Sequence, residues 1–584
     1  MIVSPSAETA RLYGPAKEFS PQHENSTYPH LEGSAVLYQT YLFTFKESAD
    51  RHEGIGNIGG AIEQLPYLHD LGIKMIWFTP IYPSPWEDGG YDVSDYTDIH
   101  PKFGTLDDFD NLVNKANEMG IGIVMDFTLN HGSTEHRLFQ QAISSPDDPA
   151  QKHFIFRDPK PDGSPPTNQA SIFDGREGSA WTKAPNGKYY FHKFTEAQPD
   201  WNLWNPDVHE MFKNDLQFWL NRGVRGFRFD VLHLTYEQLA DFAETNPNYH
   251  EGRDARIDRW KWYQSYCLHP EVNQLIQQTI VPTLKESGAL GIGEINSNDH
   301  LLLEMVRRAG VMPFNFTLLE ETQSSSTFNA PNIKSKVEAS IAALGGNAKD
   351  LIMADGNHDN PRRINRIGAD NTRLLALLSL SVGGMAVIYN GDEFGMPNGI
   401  VPPDRVRDPQ YLSGGIPIDR DLARIPLNWD ADAPNGGFSS IKDESQTYLP
   451  SLTHESRRGR SAAEQMHDPH SMLSLTRKAI ELRERYNDSL VRGDYIPLPL
   501  TNDDNVYSFI KRGEANPSEQ IMVVLNMSDE EQEVELPNGN ILLSTHSDIH
   551  MPEEKLTLHS REEIWLKIDT SQPVEGLGRE VRVG

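Results

Sequence analysis

One cysteine, Cys267, stands in 584 residues, so no intrachain disulfide can form and the fold must rest on packing. This fits a reducing cytoplasm, the location we expect, without requiring one; the residue reads as a small packed side chain rather than a nucleophile. The chain has no apolar run of about 18 residues, the length that would read as a membrane span. Its opening, MIVSPSAETARLYGPAKEF, lacks a basic region followed by an apolar core, so no secretory leader is expected. Positive charge is scarce: 53 Lys+Arg face 84 Asp+Glu, a formal net charge of -31. Such a surface repels nucleic acid and anionic lipid and disfavours phosphorylated substrates, which leaves neutral ones. Ordinary soluble acidity accounts for the balance; salt adaptation would show as activity and melting temperature rising in molar salt. Internal repeats and low-complexity tracts are absent.

What is there is a set of apolar runs that stop at an acid. They are Ile121-Gly-Ile-Val-Met-Asp126, Gly226-Phe-Arg228-Phe-Asp230, Gly291-Ile-Gly-Glu294 and Asn357-His358-Asp359, separated by stretches long enough for helices. Buried parallel strands ending in carboxylates are expected of an α/β fold, a (β/α)8 barrel whose active site lies at the C-terminal strand ends. Strands are predicted over 35–45, 74–79, 122–127, 224–232, 289–295, 313–317, 351–354 and 385–389, eight in all, enough to close a barrel. Helical periodicity is predicted over 58–71, 106–119, 208–221 and 472–486. Residues 132–200 are rich in Pro, Gly, Asp and aromatics and lack a long helical period. They exceed a strand-to-helix loop and read as an inserted subdomain after strand three. Residues 1–33 read as an extension, and 34–131 with 201–488 as the barrel. Residues 489–584, with short alternating strands and turns, read as a C-terminal antiparallel β-sandwich.

In Gly226-Phe-Arg228-Phe-Asp230 the Arg and Asp are two apart, on one face of a strand. A neighbouring guanidinium favours the ionised carboxylate, which suits a nucleophile. Glu294 has no cationic neighbour in sequence, and a drier carboxyl keeps its proton, which suits a general acid. Two carboxyls tuned in opposite directions are what retaining glycoside hydrolysis requires. His131, His358 and Asp359 are candidates for fixing sugar hydroxyls and stabilising positive charge at the anomeric carbon. Each residue alone is ambiguous, since a strand-end Asp is commonly a turn or cap residue and a lone His a structural one. The argument rests on four such ends arriving in barrel order. Two patterns carry nothing. Gly54-Ile-Gly56-Asn-Ile-Gly59 matches a dinucleotide fingerprint, but no strand leads directly into it and no acidic strand end follows about twenty residues on; a turn into the first barrel helix is expected. His131 and His136 lack the one-face spacing of a helical zinc pair.

With these motifs quoted, the chain resembles the α-amylase superfamily of glycoside hydrolases (family 13) over nearly its whole length, most of all its oligo-1,6-glucosidase and α-glucosidase branch. Asp126-Phe-Thr-Leu-Asn130-His131, Gly226-Phe-Arg228-Phe-Asp230-Val231, Gly293-Glu294 and Asn357-His358-Asp359-Asn-Pro-Arg362 are similar to its four signatures. Gln198-Pro-Asp200-Trp-Asn202, Gly90-Tyr91-Asp92-Val-Ser-Asp-Tyr96 and Arg424-Ile-Pro-Leu-Asn-Trp429 resemble branch segments. The resemblance implies Asp230 as nucleophile, Glu294 as acid/base and Asp359 as transition-state stabiliser. It also implies a glucose pocket lined by Asp92, Tyr91, His131, Arg228, His358 and Arg362. Val231, after the nucleophile, goes in this family with α-1,6 linkages. The implied partner is a short oligosaccharide or disaccharide. Where many relatives carry an Asp-x-Asn-x-Asp-Gly calcium loop, this chain has Lys46-Glu-Ser-Ala-Asp50-Arg-His-Glu-Gly54; the oxygen-ligand spacing is gone, so no metal or other cofactor is expected. The alternative within enzymes is a glucosyl-transferring isomerase, of the trehalose synthase or sucrose isomerase type, built on the same carboxylates. A non-catalytic member would lose those carboxylates or gain a membrane span, and this chain does neither.

Overall fold

The computed structural model describes residues 36–173, 178–235, 272, 275–295, 300–413, 419–546 and 555–571. The expected N-terminal extension, Cys267 and most of the helical stretch after residue 235 lie outside them. Eight parallel strands close a barrel: β1 Val36–Thr40, β2 Met75–Phe78, β3 Gly122–Thr128, β4 Gly226–Asp230, β5 Leu290–Gly293, β6 Met312–Asn315, β7 Ile352–Ala354 and β8 Met385–Tyr389. Each pairs with its neighbours in sequence, and β1 closes on β8 through Val36↔Ala386 to Gln39↔Tyr389. The expected eight strands are all present. The 224–232 and 289–295 runs shorten, to Gly226–Asp230 and Leu290–Gly293, and the 35–45 run departs most in length. Its strand ends at Thr40, and Leu42–Phe45 turn into a short helix, all four buried. A short apolar run buried on every side has the same pattern whichever way it coils.

Side chains alternate across each strand, so one face fills the barrel. Leu37, Met75, Trp77, Val124, Ile292, Phe314, Ile352 and Val387 form that inner core. Two residues further up the same inward rows stand Gln39 on β1, Asp126 on β3 and Glu294 just beyond β5. Register completes the pattern, with Asp126 opposite Arg228 and Thr128 opposite Asp230. A row that is apolar in the middle of the barrel thus becomes polar and charged at its C-terminal rim.

The glycines of the Gly54–Gly59 run serve packing. A Cβ on Gly56 would lie 2.0 Å from the Leu42 carbonyl. Asn57 then caps the helix Ile58–Leu71 by accepting from the Gly60 amide.

Between β3 and β4 the chain forms a three-stranded antiparallel sheet, with Tyr189–Phe191 between Phe156–Arg157 and Trp181–Lys183. Its apolar core, including Ile172, Phe173, Trp181 and Phe194, takes in Val231 and Leu234 from the barrel rim. A buried ion pair of Lys193 with Asp200 fixes the return of this segment, and Asp200 also accepts from the Asn130 side chain at 3.5 Å. After the helix Met472–Arg485, five antiparallel strands and a two-stranded pair follow. Among the described residues no helix is long and apolar enough to cross a membrane.

Removing one partner of a buried ion pair leaves an uncompensated charge, at about 3–5 kcal/mol. Lys193→Met should lower the unfolding temperature by several degrees, and adding Asp200→Asn should recover part of the loss; calorimetry of the two variants checks this.

Candidate active site

Arg228 is the centre of the rim. Its NH1 donates to Asp126 at 2.8 Å and to Asp230 at 2.6 Å, and its NH2 lies 2.6 Å from a Glu294 oxygen. The guanidinium is buried and faces the rings of Trp77 and Tyr91 at 5.2 and 5.7 Å. Sequence reading gave Glu294 no cationic neighbour, and the structure corrects this: β4 and β5 are adjacent, so Arg228 reaches across. Glu294 also accepts from the Val231 amide at 3.0 Å.

Three carboxylates on one guanidinium cannot all ionise cheaply in a buried site. Burial pushes Asp230 well above the usual carboxylate range, and Glu294 and Asp126 add to this against the pull of Arg228. Arg228 lowers it as expected, but burial outweighs that pull, so the net shift is upward. Burial likewise raises Asp126 to about 6. Burial and mutual repulsion thus make Asp230 and Asp126 harder to ionise, against the pull of Arg228.

Asp359 differs. The charges of Arg420 and Arg424 oppose its burial and hold its carboxyl below the usual range. Its side chain is 30% exposed, against 9% for Asp230 and 6% for Glu294. Asp359 Oδ1 accepts from Arg420 at 3.2 Å and Arg424 at 2.8 Å.

A chain of hydrogen bonds links the two groups. The Gln39 amide nitrogen donates to His358 Nδ1 at 2.7 Å, which leaves the Nε2 proton for Tyr91, 2.8 Å away. The Tyr91 hydroxyl donates to Asp126 at 3.0 Å, as does the Trp77 indole at 3.2 Å. Burial lowers His358 to about 3, so its ring is neutral and this tautomer is set by its partners.

The structure thus brings together Arg228, Asp230, Glu294, Asp359, His358 and Tyr91. His131 joins at one remove: its ring, lowered to about 3 by burial, accepts from Gln198 Nε2 at 3.1 Å, and the same amide donates to Asp88 at 3.2 Å. Two expected pocket residues are elsewhere. Asp92 is wholly buried and accepts from the Ser84 hydroxyl and the Glu87 and Asp88 amides, at 2.9, 2.9 and 3.2 Å. It shapes the turn that presents Asp88. Arg362 is buried on the Asn390 carbonyl (2.8 Å), Asp392 (3.1 Å) and the Tyr389 ring, beside β8. Asp88 itself was missed, as was Arg420, which joins it at 2.8 Å and stacks over Phe173. Asp88 lies four residues before Asp92 in sequence, and no spacing rule separates the two.

In the loop after β1 the side chains hold one another and the backbone. The Glu47 carboxylate accepts from the Glu53 and Gly54 amides and the Ser439 hydroxyl, and Lys46 donates to the Gly437 carbonyl.

Residues 39–493 match the family model described as "Alpha amylase, catalytic domain". The chain belongs to the α-amylase family. It is 32% identical to an alpha-glucosidase of Apis mellifera over 523 residues, 88% of each chain. It is 30% identical to an oligo-1,6-glucosidase of Parageobacillus thermoglucosidasius, covering 89% of this chain and 95% of that one. A trehalulose synthase from Pseudomonas mesoacidophila MX-45 superposes with a TM-score of 0.80 at 28% identity, over 92% of this chain and 99% of the other.

Removing one negative charge from the cluster makes the remaining carboxyls easier to ionise. Asp126→Asn should therefore move both limbs of the pH profile of turnover to lower pH, by roughly one unit; an unmoved or upward profile would contradict the repulsion of Asp230 by Asp126.

Proposed function

We propose that this α-amylase family member is a retaining α-glucosidase of short α-glucosides, cleaving from the non-reducing end and favouring α-1,6 linkages. The observation that carries this reading is the Arg228 fork, with Asp230 and Glu294 on its two terminal nitrogens. Carboxyls that share one planar guanidinium lie close together, which favours attack by a carboxylate over the wider gap that an inverting enzyme keeps for water.

In this mechanism Glu294 protonates the glycosidic oxygen while Asp230 attacks the anomeric carbon. The bond to the leaving sugar breaks as the bond to Asp230 forms. Glu294, now ionised, takes a proton from water, which displaces Asp230 and releases glucose in the α configuration. The reaction requires Asp230 as the anion that attacks and Glu294 as the acid that protonates the leaving oxygen. Asp359, held ionised, places negative charge where the anomeric carbon becomes positive. Asp88 and Arg420 form a polar wall suited to sugar hydroxyls.

The preference for α-1,6 rests on Val231, whose branched side chain packs into the core of the inserted sheet beside Glu294. The likeness to trehalulose synthase supports a second reading, in which the leaving sugar rather than water resolves the intermediate. Product analysis by NMR with isomaltose, maltose, trehalose and sucrose separates the two. Prompt α-glucose from isomaltose is expected; new disaccharides with little free glucose would assign the isomerase class. Asp230→Asn should reduce kcat by about 10⁴-fold or more, and substantial surviving turnover would remove Asp230 from its role. We propose further that no metal is required: chelation by EDTA should leave both kcat and the unfolding temperature unchanged.

A further inference from the structure

The segment Arg424 to Trp429, similar to a branch segment but given no role by sequence, is stitched to the first strand's exit. Thr44 donates its hydroxyl to the Arg424 carbonyl at 2.6 Å, and the Leu427 amide donates to the Thr44 carbonyl at 3.0 Å. The Trp429 indole donates to the Phe45 carbonyl at 2.7 Å, and the Tyr389 hydroxyl to the Ala423 carbonyl at 3.0 Å. The backbone around Arg424 is thus tied both to the helical turn after β1 and to the end of β8. From there the buried side chain reaches the loop after β7. Its Nε donates to the His358 carbonyl at 2.7 Å and its NH2 to Asp359 Oδ1 at 2.8 Å, while its guanidinium lies 5.4 Å from the Tyr41 ring centre.

Asp359 is the most open of the three acids and has the most freedom to turn. Arg420 is a poor anchor for it. That guanidinium gives its Nε and NH2 to Asp408 at 2.9 and 2.7 Å and NH2 also to Asp88, leaving NH1 for Asp359 at 3.2 Å. Arg424 alone grips both the backbone before Asp359 and its carboxylate.

We infer that Arg424 is a positioning residue: it fixes the Asp359 carboxylate through Oδ1 and leaves Oδ2, 3.6 Å from His358 Nε2, to face the reacting sugar. This rests on the role given to Asp359 above. A bidentate grip needs the planar guanidinium, and a single ammonium cannot reproduce it. A displacement of an ångström at a reacting group can cost about a hundredfold in rate.

The test is a double-mutant cycle on the full chain with isomaltose as substrate. Arg424→Met should lower kcat about a hundredfold with KM changed by less than about threefold. In an Asp359→Asn background the same change should lower kcat by less than about threefold, because the group it positions is already gone. If Arg424→Met does not fold, Arg424→Lys carries the test, with at least a tenfold loss of kcat expected at an unchanged unfolding temperature. Losses that multiply in the double variant, or a Lys variant with full kcat, would overturn the role of Arg424. An Asp359→Asn enzyme with full kcat would instead overturn the reading of Asp359 itself.

Discussion

A buried guanidinium with three carboxylates around it sets the terms for the rest of the rim. Arg228 is out of water, so its charge is worth more to each partner than it would be at the surface, and its own desolvation must be offset by all of them together. It cannot satisfy three anions at once. The surplus negative charge is eased by the donors that converge on the cluster from β1, β2 and the turn after β2: Gln39 acting through His358, Trp77, and Tyr91. The chemistry then follows from a shared charge rather than from separately tuned acids. Asp359, with arginines on one side, has a different electrostatic setting within the same barrel mouth.

The barrel delivers this arrangement by register. Parallel strands put Asp126 beside Arg228, and the neighbouring β5 brings Glu294 to the same guanidinium. The loops add what strands cannot. Asp88 and Arg420 meet from opposite sides of the mouth, and the inserted sheet lays Phe173 under Arg420. Its attachment by the Lys193–Asp200 pair means that pocket shape depends on a contact away from the reacting atoms.

Much of the architecture was legible in the chain, because apolar runs ending in acids are a direct imprint of parallel strands with a polar rim. The helix over 58–71 and the strand over 385–389 read with the limits observed, since each has a clean period and a sharp polar boundary. Tyr41–Phe45 was not, because its residues, Thr44 included, are buried on every side and the pattern fits strand and helix alike. At the site, strand-borne residues were easy and loop-borne ones hard. Arg228 and Asp230 follow from alternation, whereas choosing Asp88 over Asp92 depends on which carboxylate the turn itself consumes. The electrostatics were misread for a related reason: sequence shows the neighbour two residues away and hides the one across the sheet.

Val231 adopts φ +35°, a left-handed conformation that a β-branched residue occupies only at a cost. It does so at the position on which the proposed α-1,6 preference rests, with its amide held by Glu294. Smaller residues there would relax the backbone as well as widen the space. Changes of specificity at this site are therefore coupled to stability, and drift away from valine runs downhill in strain. An ancestral or engineered shift in linkage could arise without the stabilising substitutions that new functions commonly need.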